Sequence, residues 1–375
     1  MPYNVNITDN NQIKDVGLVV IYLGNKCNFD CVYCDRGYIE KIGGQSLGKG
    51  TADNLEIFFN WAAKQPNKIT RISFHGGEPL LFIKRIKEIM IWLAPIAKKQ
   101  NWLVSMTTNG SLITENEDLF KQYKGLLAAT ISYDFMFQEA NREAFDIKSM
   151  AKVLNENAAE WKWQYVLPID DPRSFSFENL QDIVRTCYNT NCRVVNIIPL
   201  RHKRGKDKFD VIIDRVNLEQ YFEAFLQFIQ ILYIKKINVF IDGNYHSIDK
   251  NYFGNHSKLI LAPDGYMYPE FDFLEYKLDN MRTGKWDASI PQIWKNLGDD
   301  TRIHSTCSSC EMKASCGLKY LYKLFEETPG TSCKKFYQYT NFVIMHNSKL
   351  KQKPNILHWA GINDAFVIKN DYTDF

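Results

Sequence analysis

Short apolar runs alternate with longer amphipathic ones from Val16 to Leu200. The short runs are Val16–Leu23, Ile69–Phe74, Trp102–Thr107, Ala128–Tyr133, Trp161–Leu167 and Arg193–Ile198, all rich in β-branched or aromatic residues, and they predict strands. Between them Thr51–Ala63, Phe82–Lys99, Glu115–Tyr123, Arg142–Glu156 and Phe177–Tyr188 carry helical periodicity. Strands that alternate with helices pair in parallel through right-handed crossovers. Six such units predict an α/β fold, a partial (β/α)6 TIM-type barrel, whose chemistry belongs at the C-terminal ends of its strands.

Beyond the sixth unit, Asn217–Lys235 reads as a helix and Asn238–Ile241 as a short strand, followed by a Gly-, Asn- and His-rich connection over Asp242–Lys258. Leu259–Pro269 reads as two strands around the Asp264-Gly265 turn, and Tyr337–Asn347 as a last helix. The expected organisation is an N-terminal extension (1–15), a barrel (16–241), a linker (242–258), a small domain (259–337) and a C-terminal helix and tail (338–375).

Charge changes the picture little. The 46 Lys and Arg against 43 Asp and Glu leave a net charge of +3, so neither a nucleic-acid nor a membrane partner is demanded. Apolar runs such as Val16–Leu23 fall far short of the ~20 residues that span a bilayer. The first fifteen residues are polar and lack a signal-peptide core, so the expected location is the cytoplasm. Nine cysteines in that compartment read as metal ligands or free thiols, not as a disulfide framework.

Three of them stand in Cys27-Asn28-Phe29-Asp30-Cys31-Val32-Tyr33-Cys34, directly after the first predicted strand. Thiols so closely spaced suit a metal site, and three are one short of the set that closes a four-iron, four-sulfur cube. A structural zinc loop is the alternative, but it wants a fourth Cys or His close by, and none occurs before His75. The C-x3-C-x2-C form, with an aromatic residue before the third Cys, resembles the radical S-adenosylmethionine (SAM) family, in which the open iron chelates SAM. After the second strand, His75-Gly76-Gly77-Glu78-Pro79-Leu80 would by itself be a Gly-Gly turn. One unit after the cysteines, it resembles the GGEP motif of that family, which implies that Gly76, Gly77, Glu78 and Pro79 hold the SAM amino group.

Thr107-Thr108-Asn109-Gly110 is on its own an Asn-Gly turn, and resembles the TTNG stretch of the peptide- and protein-modifying branch. The fourth strand ends in Ser132-Tyr133-Asp134, with Arg142 downstream. By resemblance Ser132 and Arg142 bind the SAM carboxylate and ribose, although Phe135 replaces the glycine that the family carries after the Asp; Asp134 reads equally well as an ordinary polar residue at a strand end. Tyr33 and Asn109 join them in the implied cofactor set. The basic loop Arg201–Lys206 reads either as a solvated surface or as a grip on an acidic substrate segment. Cys187 and Cys192 read as buried or partly buried free thiols.

A second set, Cys307-x2-Cys310-x5-Cys316 and then Cys333, can close a zinc site or an iron–sulfur cluster. Downstream of such a barrel it resembles the C-terminal SPASM/twitch extension that carries auxiliary [4Fe-4S] clusters. Where that family places the cysteines of one of its two auxiliary clusters, this chain has Glu270 and Tyr320, and 253–256 holds no cysteine. The expectation is therefore two [4Fe-4S] clusters: one on Cys27, Cys31 and Cys34 that binds SAM, one on Cys307, Cys310, Cys316 and Cys333 that is closed. The resemblance implies reductive cleavage of SAM to a 5′-deoxyadenosyl radical, fed by a flavodoxin or ferredoxin. It also implies hydrogen abstraction from a ribosomally made peptide or protein with an oxidative cross-link as outcome. A small-molecule substrate (sugar, amino acid or cofactor precursor) stands as the alternative, which the short stretch before the first strand favours. So does peptide epimerisation, for which Cys187 or Cys192 would be the spare thiol.

Overall fold

The computed structural model describes residues 17–34, 46–64, 69–200, 203–204, 209–210, 212–241, 258–263, 265–268, 279–280, 356–358 and 366–368. The six expected strands form as β1 (Leu18–Tyr22), β2 (Arg71–His75), β3 (Leu103–Thr108), β4 (Leu127–Ser132), β5 (Trp161–Leu167) and β6 (Val194–Pro199). Each pairs in parallel with the next, in the order of a partial (β/α)6 TIM-type barrel.

The sheet extends past these six on both edges. β7 (Lys203–Arg204) and β8 (Phe209–Asp210) make a separate two-stranded ladder within and after the basic loop. β9 (Asn238–Ile241) continues the sheet parallel to β6. On the other edge β10 (Lys258–Leu261) lies parallel to β1, Leu18 opposite Lys258, so eight parallel strands stand side by side. The hairpin expected around Asp264-Gly265 is present: β11 (Tyr266–Tyr268) returns antiparallel on β10. Its first strand thus belongs to the barrel sheet, although the sequence places it at the start of a separate small domain. The cysteines Cys307, Cys310, Cys316 and Cys333 and the helix expected over Tyr337–Asn347 lie outside the described residues.

Alternation along each strand sorts side chains onto two faces. Val19 and Ile21, Ile72 and Phe74, Val104 and Met106, Trp163 and Tyr165, and Val195 and Ile197 are buried against Leu55, Ile86, Ile89, Leu154, Ile183 and Phe225 of the helical layer. Each such side chain contributes about 1.5–3 kcal/mol on leaving water. The positions between them are Val20, Ser73, Ser105, Gln164 and Asn196, mostly polar, on the face away from the helices, as are Thr130 and Ser132 of β4. Near the N-terminal end of the strands Arg71 pairs with Glu160 at 2.7 Å, and burial together with the Arg71 charge pushes Lys162 down to about 7.

Helix starts follow their caps. Ser176 caps Phe177–Asn189 by accepting from Asn179 N–H, and Asn217 caps Leu218–Ile234. One helix begins later than its periodicity predicts: Ile147–Asn157 starts where Asp146 accepts from Lys148 and Ser149 N–H, leaving Arg142 outside in extended backbone. An N-capping aspartate satisfies orphan donors that the residues before it cannot, so the boundary moves to the cap. That shift frees Arg142 to reach the cysteine loop.

Candidate SAM and iron–sulfur site

The cysteine loop leaves the C-terminal end of β1 and runs across the turns that follow β2, β3 and β4. Its first half is joined to the GGEP turn by backbone. Leu23 N–H donates to His75 O at 2.8 Å, Gly77 N–H to Gly24 O at 2.8 Å and Glu78 N–H to Lys26 O at 2.8 Å. The approach requires glycine: a Cβ on Gly77 would lie 2.4 Å from the carbonyl oxygens of Asn25 and Lys26, and one on Gly76 2.7 Å from Gly24 O.

Glu78 is buried beneath this junction. Its Oε1 accepts from Leu80 N–H at 3.0 Å and from the Thr108 hydroxyl at 2.7 Å, and its Oε2 accepts from Asn109 N–H at 2.8 Å. Burial pushes its carboxyl above the ordinary range, and these donors pull against that shift. The carboxylate thus ties the GGEP turn to the TTNG turn. Asn109 carries the tie onward: its Nδ2 donates to Asn28 Oδ1 at 2.9 Å and lies 4.0 Å from Cys27 Sγ, while Ser111 bonds both Asn28 and Asn109. Asn28 and Ser111 were not singled out in the sequence, where they look like a loop residue and a turn residue.

The second half of the loop is held by charge. Tyr33 OH donates to Asp134 Oδ2 at 2.5 Å, and Arg142 Nε donates to Tyr33 OH at 2.6 Å and to Asp134 Oδ2 at 3.2 Å. The guanidinium also lies over the Tyr33 ring, 5.2 Å from its centre. Asp134 is 0% and Arg142 9% exposed, and Asp134 Oδ1 accepts from Val166 N–H on β5. The strand-end carboxylate that reads as ordinary in the sequence is thus the centre of a buried ion pair. Phe135, where the family has glycine, adopts the left-handed φ of 50° that glycine takes without strain. It is kept there by a ring cluster with Tyr133, Trp163 and Tyr165 at 5.2–6.0 Å. Ser132, at the end of β4, is buried and receives only a long 3.5 Å bond from Gln164.

Among the described residues none of the three thiols is in a disulfide; Cys27 and Cys31 are half-buried and Cys34 is exposed. Burial pushes Cys31 up to about 11, and the Arg142 charge is the main effect pulling it toward the thiolate. Among the described residues no three His, Cys, Asp or Glu side chains converge as ligands of a single ion. Sulfurs bound to three corners of a cube stand farther apart than sulfurs around one tetrahedral ion, and N–H groups such as Phe29 N–H, 3.4 Å from Cys27 Sγ, suit a cluster thiolate. The donor set fits a [4Fe-4S] cluster with one open iron. Cys187 and Cys192 are buried as expected, but Cys192 Sγ sits 3.4 Å from Trp161 O at the start of β5, the opposite end of the strands.

A family model described as the radical SAM superfamily matches residues 21–216. The chain belongs to the radical SAM superfamily. Two curated relatives lie in different chemistries. A probable GTP 3′,8-cyclase of Methanocella arvoryzae is 32% identical over 116 residues, 31% of this chain and 34% of that protein. The radical SAM cyclopropyl synthase TigE of Paramaledivibacter caminithermalis is 30% identical over 234 residues, 56% of this chain and 47% of that protein. The radical SAM chain described here therefore spans about a third to a half of the length of these relatives. The crystal structure of Streptococcus suis SuiB bound to precursor peptide SuiA shares the fold, with a TM-score of 0.57 at 17% identity over 86% of this chain and 76% of that one. Membership in the superfamily implies SAM and a [4Fe-4S] cluster. No helix among the described residues is long and apolar enough to cross a membrane.

Proposed function

We propose that this radical SAM enzyme acts on a ribosomally made peptide or protein and joins two of its atoms oxidatively. The observation that carries the cofactor part is the cysteine loop itself, bonded at one half to the GGEP and TTNG turns and at the other to Asp134 and Arg142. Cys27, Cys31 and Cys34 hold the cluster. With SAM bound, the cluster supplies a one-electron route to hydrogen abstraction from an unactivated C–H bond. Because the Glu78 carboxylate already accepts from Leu80, Thr108 and Asn109, the backbone carbonyls of Gly76 and Gly77 are assigned to the SAM ammonium, with Pro79 closing the turn. Ser132 and the remaining donors of Arg142 are assigned to its carboxylate and ribose. The second cluster, on Cys307, Cys310, Cys316 and Cys333, and a flavodoxin- or ferredoxin-type reductant complete the proposal.

The peptide reading is supported by the fold shared with SuiB, whose crystal structure holds a precursor peptide, and by the likeness to TigE, a cyclopropyl synthase. Epimerisation through Cys187 or Cys192 is disfavoured by their place at the far end of the strands. The likeness to a GTP cyclase favours a second reading, a nucleotide or other small-molecule substrate.

The test is anaerobic mass spectrometry of reconstituted protein with SAM, reductant and the short peptides encoded beside the gene, in deuterated water. A peptide that loses two hydrogens in step with 5′-deoxyadenosine release is the expected result. A single deuterium gained without other change would mean epimerisation. Release of 5′-deoxyadenosine that GTP stimulates and no peptide does would sink the peptide reading. Iron analysis bears on the second cluster: about eight irons per chain are expected, against about four if the first stands alone.

A further inference from the structure

Asp134 looks like an ordinary strand-end residue in the sequence, yet its carboxylate is as completely enclosed as that of Glu78. It is 0% exposed, receives Tyr33 OH at 2.5 Å, Arg142 Nε at 3.2 Å and Val166 N–H at 3.4 Å, and its own N–H donates to Gln138 Oε1 at 2.9 Å. Gln138 in turn donates to Glu143 O at 2.6 Å, bracing the segment that carries Arg142. Next to this group the loop and that segment are joined by backbone, Val32 N–H to Asn141 O at 3.1 Å. A carboxylate removed from water needs its donors, and losing one leaves the other charge stranded.

We infer that Asp134 is a positioning residue: it holds Tyr33 and Arg142 as one unit that orders the 31–34 half of the loop before any cluster arrives and fixes a positive charge beside Cys31. The ordering follows from where the partners originate. Tyr33 lies inside the loop, between two of its cysteines, Arg142 lies beyond β4, and Asp134 at the end of β4 is bonded to both. The charge follows from the guanidinium over the Tyr33 ring, next to the thiols, with Asp134 as its buried counter-ion. The charge part rests on the reading of Cys27, Cys31 and Cys34 as cluster ligands, and the ordering part does not.

Hydrogen exchange on the cluster-free protein tests the ordering. D134N and R142Q are each expected to speed exchange at Val32 and its loop neighbours about ten- to a hundredfold, as loss of a charged buried bond does. The double variant should be no faster than the faster single one, because the group acts as a unit. Unchanged loop exchange in D134N, or acceleration spread evenly through β4 and β5, would overturn the inference. Y33F provides a variant without a charge change: it keeps the ring under the guanidinium and should open the loop less than D134N. The charge is read from the midpoint potential of the SAM-free cluster. D134N uncovers the Arg142 charge and should raise the potential, whereas R142Q removes that charge and should lower it. A merely structural loosening would move both the same way, and that result, or no movement, would reject the charge assignment. If the wild-type chain assembles no cluster, the ligand reading fails while the exchange experiment still decides the ordering.

Discussion

The two halves of the cysteine loop are held by different physics. Residues 24–28 meet the GGEP turn through backbone hydrogen bonds and the TTNG turn through neutral amides, over a carboxylate that faces inward. Residues 32–34 meet the segment after β4 through one backbone bond, Val32 N–H to Asn141 O, and through the Tyr33 phenol, which is seated on the buried Asp134–Arg142 ion pair. A backbone junction is possible only where two chains can touch, which the Gly76-Gly77 pair permits. Where the partner must come from a more distant segment, long side chains reach across, and their charge needs a buried counter-ion. The first half should therefore be intolerant of added atoms, the second of lost charge.

The sharpest way to break this contrast is Gly77→Ala. Its Cβ would collide with two backbone oxygens that have no room to retreat, so a loss of more than ~2 kcal/mol in denaturant unfolding and little iron uptake are expected. A variant that loads iron normally would mean that the junction yields. On the other half, Phe135→Gly relieves a left-handed backbone but empties a ring position that is 2% exposed. Since burial outweighs strain, a net loss of about 2–4 kcal/mol is expected, and a gain in stability would reverse that ranking.

Glu78→Gln comes next, at about 2 kcal/mol, because the introduced amide turns a donor toward Leu80 and Thr108 or toward Asn109 N–H. Burial raises the Glu78 carboxyl above its unfolded value, so its contribution to stability is complete below that unfolded value and is lost as pH climbs toward the raised one. E78Q should flatten that part of the pH–stability curve of the cluster-free protein; an unchanged slope would show that the group is not the cause. The smallest effect is Asn28→Ala, about 1 kcal/mol, since its partners Asn109 and Ser111 keep each other. Thermal melts would detect it, and a loss as large as that of E78Q would mean the amide network is indispensable.

Much of the fold was legible because its signals are local. β5 runs over the same residues that its apolar pattern predicts, and the other five barrel strands shift by only a residue or two. The close approach of Gly76 and Gly77 to the loop that carries Cys27, Cys31 and Cys34 was legible through residue type. The donors to the Glu78 carboxylate were not, because Thr108 and Asn109 on the next turn stand thirty positions or more away.

Local order in the sequence thus determined the alternation of strand and helix, the parallel barrel and the three thiols after β1, because period and spacing are properties of neighbours along the chain. Tertiary structure decided that β10 joins β1, that Cys187 and Cys192 lie away from the site, and that Arg142 leaves its expected helix to meet Asp134 and Tyr33. Those outcomes depend on which segments become neighbours in space, and a buried carboxylate finds its donors wherever the fold brings them, however far apart they stand in sequence.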